Sequence, residues 1–191
     1  MRNKSLIKKI YEIHKKRLKN TSLPHKKLLI CFSGIPGSGK THISEILEKK
    51  YLGVRIRSDD IRSIVKKLNI KIKDIDRITY AYLEWLFNNY SFKNNLIILD
   101  KGIDRKYEET FSIFKKKRYK IFVIRLQVSR RISEKRVAKH GKPDENYINN
   151  IARWIKEWKN FGRKVKSNII IRNEQNLNLK PLFSKLDKLI R

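Results

Sequence analysis

Gly34-Ile35-Pro36-Gly37-Ser38-Gly39-Lys40-Thr41 satisfies G-x-x-x-x-G-K-[ST] at every position. It stands between an apolar run, Leu28-Leu29-Ile30-Cys31-Phe32, and a segment with helical spacing at Ile43, Ile46, Leu47 and Tyr51. Strand, glycine-rich turn and helix form the context this motif requires. The residue types follow from the chemistry of holding phosphate. Glycines let successive backbone N–H groups point inward with no Cβ in the way, which builds a nest for phosphate oxygens at a helix N-terminus. Lys40 supplies a point charge for the β- and γ-phosphates, and the Thr41 hydroxyl is a ligand for Mg²⁺. Gly34, Gly37, Ser38, Gly39, Lys40, Thr41 and the adjoining His42 are the expected nucleotide contacts. No N-K-x-D guanine-reading motif is present, so ATP with Mg²⁺ is the expected cofactor.

Beyond the loop the chain alternates regularly. Short runs rich in β-branched residues fall at 27–33, 53–57, 94–100, 119–126 and 168–172, separated by segments of helical spacing such as Ile78, Tyr82, Trp85, Leu86 and Asn89. Strands that read as nearly continuous apolar runs are buried on both faces, which predicts a parallel sheet with helices on each side. The expectation is a three-layer α/β domain of the P-loop NTPase type, with about five strands. The domain is expected at 26–191, after a basic helix at 1–25. Residues 5–19 place Leu6, Ile7, Ile10, His14 and Leu18 near one side of that helix, with lysines around the rest. The segment reads either as a helix packed on the domain or as a basic arm for a nucleic acid or membrane surface.

Lys+Arg number 48 against 18 Asp+Glu, a net charge of +30. Such a balance favours a polyanionic partner, although the richness in Ile, Asn and Lys also fits a coding bias. The single cysteine, Cys31, rules out an intramolecular disulfide and a cysteine-built metal site, and its apolar surroundings mark it as a core residue. No apolar run approaches the roughly 18–20 residues that span a bilayer. The basic N-terminus lacks the apolar stretch of a secretory signal. A cytoplasmic protein without a transmembrane segment is expected.

Parallel sheets bind ligands at the carboxyl ends of their strands. The second strand runs into Arg57-Ser58-Asp59-Asp60-Ile61-Arg62. A carboxylate there is placed to take a proton from an acceptor hydroxyl, with Arg62 one turn on for an acceptor's anion. The other reading has Asp59 or Asp60 capping the next helix. The third strand ends in Asp100, a position suited to Mg²⁺ or to an acceptor hydroxyl. A basic stretch at 130–141 reads as a lid over the γ-phosphate or as a solvated helix. Tyr80, Tyr82, Trp85, Phe87 and Tyr90 offer either base-stacking surface or core.

Taken together these residues resemble the P-loop kinase group that includes phage-type polynucleotide 5′-kinase, zeta toxins and chloramphenicol phosphotransferase, over about residues 27–175. The resemblance rests on 34–41, on Ser58-Asp59-Asp60-Ile61-Arg62, on Asp100 and on Lys135-Arg136-Val137-Ala138-Lys139-His140-Gly141. It implies ATP-dependent transfer of the γ-phosphate to a hydroxyl, with the 5′-OH of a nucleic acid as the leading acceptor. Lys40, Asp59 as general base and Arg136 in the lid carry the implied catalysis. Arg62, Asp100, Lys139 and His140 face the acceptor, Thr41 and Asp100 the metal, and Arg136 the nucleotide. The tail, Ser167-Asn168-Ile169-Ile170-Ile171-Arg172-Asn173 and the helix after it, resembles the last strand and helix of nucleoside-monophosphate-kinase-like proteins, which implies that Asn173 lies beside the adenine. Two departures stand out: His140 occupies the place of a second lid arginine, and Lys101-Gly102-Ile103-Asp104-Arg105 follows Asp100. The competing expectations are a small-molecule kinase for a metabolite, nucleotide-sugar or antibiotic, and a non-catalytic ATP-binding module on nucleic acid.

Overall fold

The computed structural model describes residues 2–18, 26–90, 96–139, 145–174 and 177–190. Five strands, β1 (Leu28–Ser33), β2 (Val54–Arg57), β3 (Leu96–Gly102), β4 (Lys120–Gln127) and β5 (Ile169–Arg172), form one sheet. Its order is β2-β3-β1-β4-β5, with every neighbouring pair parallel. The five-stranded parallel α/β fold is the one expected. Strand ends differ by one or two residues, and positions 94 and 95 of the third expected strand lie outside the described residues. β3 runs on to Gly102 because Phe32 pairs with that glycine across a bulge, while Cys31 still pairs with Leu99. A bulge re-aims the residues around it, here Asp100 and Lys101.

Period-2 alternation sorts the strand residues into two cores. Leu29, Cys31, Val54, Ile56, Ile97, Leu99 and Val123 face one side, and Leu28, Ile30, Phe32, Leu96, Ile98, Phe122, Ile124 and Leu126 the other. The first face is covered by α1 (Arg2–His14), α3 (Ser58–Lys67), α4 (Ile75–Asn89), α5 (Tyr107–Lys116) and the end of α7 (Glu145–Lys164). The second is covered by α2 (Lys40–Tyr51) and α8 (Lys180–Ile190). A further helix, α6 (Arg130–Lys139), follows β4. Among the described residues no helix is long and apolar enough to cross a membrane.

The chain passes from β1 to β2 and β3 on one side of the sheet, then to β4 and β5 on the other. The strand order therefore reverses beside β1, and the loop leaving β1 sits in the crevice where open parallel sheets hold ligands. α3 begins at the residue after β2, so its first turn reaches the same crevice without a connecting loop.

The helix expected at 5–19 runs from Arg2 to His14 and tightens into a 3₁₀ turn at Lys15–Arg17. It packs on α3 and α4, where Ile7, Ile10 and Leu18 join the first core. His14 is buried, and its Nδ1 lies 2.9 Å from the Tyr82 hydroxyl. Tyr82 and Phe87 are core residues, which corrects the stacking role considered for them: their rings are unavailable to a base. Trp85 and Tyr90 pack beside Tyr11 of α1.

Burial lowers His14 from 6.5 to about 4; Asp60 opposes the fall and Arg17 adds to it. The unfolded chain takes up a proton that the folded chain refuses, so stability falls as pH drops from 6.5 to about 4, by on the order of 3 kcal/mol. Denaturant titrations across that range on the wild type and His14→Gln read the difference. The variant is expected to lack this part of the slope, and parallel curves would refute a neutral buried imidazole.

Candidate nucleotide and acceptor site

The loop between β1 and α2 turns through two left-handed residues, Gly37 at φ 73° and Gly39 at φ 95°. Side chains are strained there, and space forbids them as well. A Cβ on Gly39 would run into the Asn173 amide, and one on Gly37 would stand 2.7 Å from the Ser133 carbonyl. The loop is pressed between α6 and the turn after β5. Lys40 Nζ donates to the carbonyls of Gly34 (2.7 Å) and Ile35 (2.8 Å). Burial lowers its pKa from 10.5 to about 8, against the pull of Asp104, Asp100 and Asp59. The first turn of α2 holds no acidic side chain, which leaves its positive end for an anion.

Asp100 faces this loop. Thr41 Oγ1 donates to its Oδ1 at 3.1 Å, and Oδ2 meets Arg55 Nη1 at 3.4 Å and Arg57 Nε at 3.3 Å. Burial raises the Asp100 pKa, opposed by hydrogen bonds from Ser44 and Thr41 and by the two arginines. Arg57 also reaches Asp60 at 3.7 Å, and Asp60 pairs with Arg17 at 2.7 Å. A chain of alternating charge thus links the end of the N-terminal helix to Thr41. Sequence reading missed Arg55 and Arg57. The available signal was the alternation Val54-Arg55-Ile56-Arg57, which puts two guanidiniums on one face of a strand whose other face is core.

Thr41 and Asp100 bring a hydroxyl and a carboxylate to one point. Among the described residues no group of three His, Cys, Asp or Glu side chains is placed to hold a metal unaided. Mg²⁺ is usually bound through one or two protein oxygens, with nucleotide phosphates and water completing the shell. The residues present fit a magnesium ion carried in with a nucleotide.

On the opposite side, Arg62 Nη1 donates to Asp59 Oδ1 at 2.8 Å and its Nε to Asp76 Oδ1 at 2.9 Å. The N-cap of α3 is Arg57, with no side-chain cap bond, so Asp59 is not spent on capping and its carboxylate is 67% exposed. Asp60, by contrast, is held by Arg17 and Arg57. Asp100 and Arg62 serve different faces of the sheet, because Asp100 contacts α2 while Arg62 belongs to α3. Asp104, also missed, accepts from the Gly34 amide at 3.2 Å.

α6 closes the loop's outer rim. Ser133 Oγ donates to the Pro36 carbonyl at 2.7 Å and lies 3.2 Å from the Tyr147 hydroxyl. Arg136 reaches the Gly37 carbonyl (3.4 Å), Asn173 Oδ1 (3.4 Å) and the Glu174 carbonyl (3.0 Å). Asn173, buried, donates Nδ2 to the Ser38 carbonyl at 2.8 Å. Arg136 and Asn173 are therefore brought together with the loop. Lys139 is exposed at the end of α6, and His140 lies outside the described residues.

This order of strands, with a glycine-rich loop after the central one and a lysine and threonine opening the next helix, defines a P-loop NTPase fold. Residues 29–161 match the AAA domain model AAA_33, well over half of the chain, and the protein belongs to that family. A candidate kinase from Chloroflexus aurantiacus superposes with TM-score 0.56 at 11% identity, covering 87% of this chain and 100% of its own. A chain of the PezAT chromosomal toxin-antitoxin system of Streptococcus pneumoniae gives 0.60 at 17% identity, covering 99% and 86%. The Mycobacterium tuberculosis APS kinase CysC, in complex with AMPPNP and APS, gives 0.51 at 14%, covering 87% and 98%. At these identities the likeness is one of fold. No curated protein matches the sequence.

Arg55→Met tests the cluster around Asp100. It leaves a buried carboxylate with one cation instead of two, and frees Glu45 and Glu48, which Arg55 also pairs. The expected loss is about 3 kcal/mol by urea unfolding, and a loss within experimental error would show that Arg57 suffices.

Proposed function

We propose that the protein is an ATP- and Mg²⁺-dependent kinase whose acceptor is a hydroxyl, with the 5′-OH of a nucleic acid strand as the leading substrate. The observation that carries this reading is the arrangement across the crevice. Lys40, Thr41 and Asp100 gather at the nucleotide loop, and an exposed, uncapped carboxylate, Asp59, stands opposite with Arg62 holding it. In the reaction Asp59 takes the proton of the acceptor hydroxyl, that oxygen forms a bond to the γ-phosphorus, and the bond to the ADP oxygen breaks. Lys40 leaves its loop carbonyls to meet the phosphates, where its charge counts most as the γ-phosphoryl departs. Magnesium, when bound, neutralises the charge on the β- and γ-oxygens. Arg136 lies within reach of the nucleotide from the rim, and its step toward the γ-phosphate is a closing motion of α6. The net charge of +30 supports a polyanionic acceptor. A metabolite acceptor is the second reading, since the APS kinase of similar fold was solved with the small molecule APS.

Two measurements test it. Asp59→Asn should leave ATP affinity intact and lower kcat by about 10²–10⁴. A collapse of ATP affinity would make Asp59 a structural or metal residue. The choice of acceptor is read from KM for a 5′-OH dinucleotide and a 5′-OH oligomer over a salt series. Gripping single-stranded phosphates gives a slope of roughly −0.7 per contact, and about −2 to −4 is expected for the oligomer. Equal KM values with flat slopes would sink the polynucleotide acceptor.

A further inference from the structure

Arg57 is divided between two carboxylates. Its Nε lies 3.3 Å from Asp100 Oδ2 and its Nη1 3.7 Å from Asp60 Oδ1, yet the buried Nε makes no hydrogen bond. A buried donor left unmet is costly, so this guanidinium is held loosely and follows whichever carboxylate pulls harder. Asp60 is divided in the same way, since its Oδ1 also meets Arg17 Nη1 at 2.7 Å. The series Arg17, Asp60, Arg57, Asp100 alternates in sign at every step and ends on the carboxylate to which Thr41 donates. The Asp100 side chain is 4% exposed and the Arg17 side chain 51%, so the series runs from the interior of the site to the surface. Arg17 closes the 3₁₀ turn that follows α1 and is flanked in sequence by His14 and Leu18, both buried. The turn is therefore anchored although its cation is exposed. Arg17 also lies outside residues 29–161, the stretch that matches the family.

We propose that Arg17 is a positioning residue for the metal site: by holding Asp60 it leaves Arg57 to Asp100, and so sets how much of the Asp100 charge is free for a divalent cation. This rests on the reading of Thr41 and Asp100 as the magnesium residues. Without Arg17, the Asp60 carboxylate has Arg57 as its remaining partner and draws it away from Asp100. Asp100 then offers a metal more of its charge. Without the Asp60 charge, Arg57 goes over to Asp100 and less is left. The two substitutions act in opposite directions, whereas damage to packing would weaken metal binding in both.

Titration of the protein with Mn²⁺ at saturating ADP, followed by the electron paramagnetic resonance of the free ion, reads the site without any turnover. Arg17→Met should tighten Mn²⁺ binding about threefold and Asp60→Asn weaken it about threefold, the scale of a partly exposed ion pair. Arg17→Lys keeps the charge and should stay near the wild type. The same signs would follow from charges acting on the metal through space, so the deciding arm is a double-mutant cycle. With Arg57→Met the relay is cut, and adding Arg17→Met should then leave Mn²⁺ affinity within experimental error; Arg57→Gln serves for the cycle where Arg57→Met does not fold. An equal shift in both backgrounds overturns the relay, as does a weakening or no change on Arg17→Met in the wild type. Asp100→Asn separates the relay from the reading beneath it. If it weakens Mn²⁺ at least about tenfold while Arg17→Met changes nothing, the metal site stands and the relay alone falls. If it leaves Mn²⁺ affinity unchanged, the metal site is misassigned and the relay falls with it.

Discussion

Lys40 reaches back over its own loop to the carbonyls of Gly34 and Ile35, and the rest of the site is arranged around the turn that makes this contact possible. The turn needs positive φ at Gly37 and Gly39 and close walls: Ser133 on one side, Asn173 on the other. Those walls come from α6 and from the end of β5, two elements distant in sequence that the parallel sheet brings to the same edge. A loop free to relax would lose the inward amides that make it a phosphate nest. The fold supplies the constraint, and the chemistry depends on it.

Acidic residues are scarce in a chain with 48 basic side chains and 18 acidic ones. Asp59, Asp60, Asp76, Asp100 and Asp104 nonetheless lie at or beside the carboxyl ends of β2 and β3. Each is engaged: Asp100 by Thr41, Arg55 and Arg57, Asp60 by Arg17 and Arg57, Asp59 and Asp76 by Arg62, Asp104 by the Gly34 amide. Burial at Asp100 and partial burial at Asp60 strengthen their contacts and make an unmatched charge there expensive. Much of the surplus positive charge sits on exposed lysines and arginines.

The fold was legible because its signals are local. Apolar runs and the motif at 34–41 specify strand, turn and helix without reference to distant residues, and strands apolar on both faces imply a parallel sheet between two helical layers; the strand order β2-β3-β1-β4-β5 has no such local signal. Strand ends were less legible: Gly102 reads as a breaker, yet it is paired because Phe32 lies opposite. In the site, Lys40 and Thr41 could be read from one motif. Arg55, Arg57, Asp104 and Ser133 could not, because each acquires its role from a partner 43 or more positions away. Asn173 was reached through the resemblance alone, and its packing on the loop is a tertiary fact. For α4, helical spacing left core and stacking surface undivided, and only the docking of α1 separates buried Tyr82 from Tyr80.

The central claim is that the loop after β1 is built to hold the β-phosphate of a nucleotide. Calorimetric titration of the protein with ATP, ADP and AMP in the presence of Mg²⁺ tests it most directly. Because the nest and Lys40 act on the β- and γ-groups, ATP and ADP should bind with comparable affinity and AMP at least about 100-fold more weakly, a difference of about 2.7 kcal/mol. AMP binding within threefold of ADP would contradict the account.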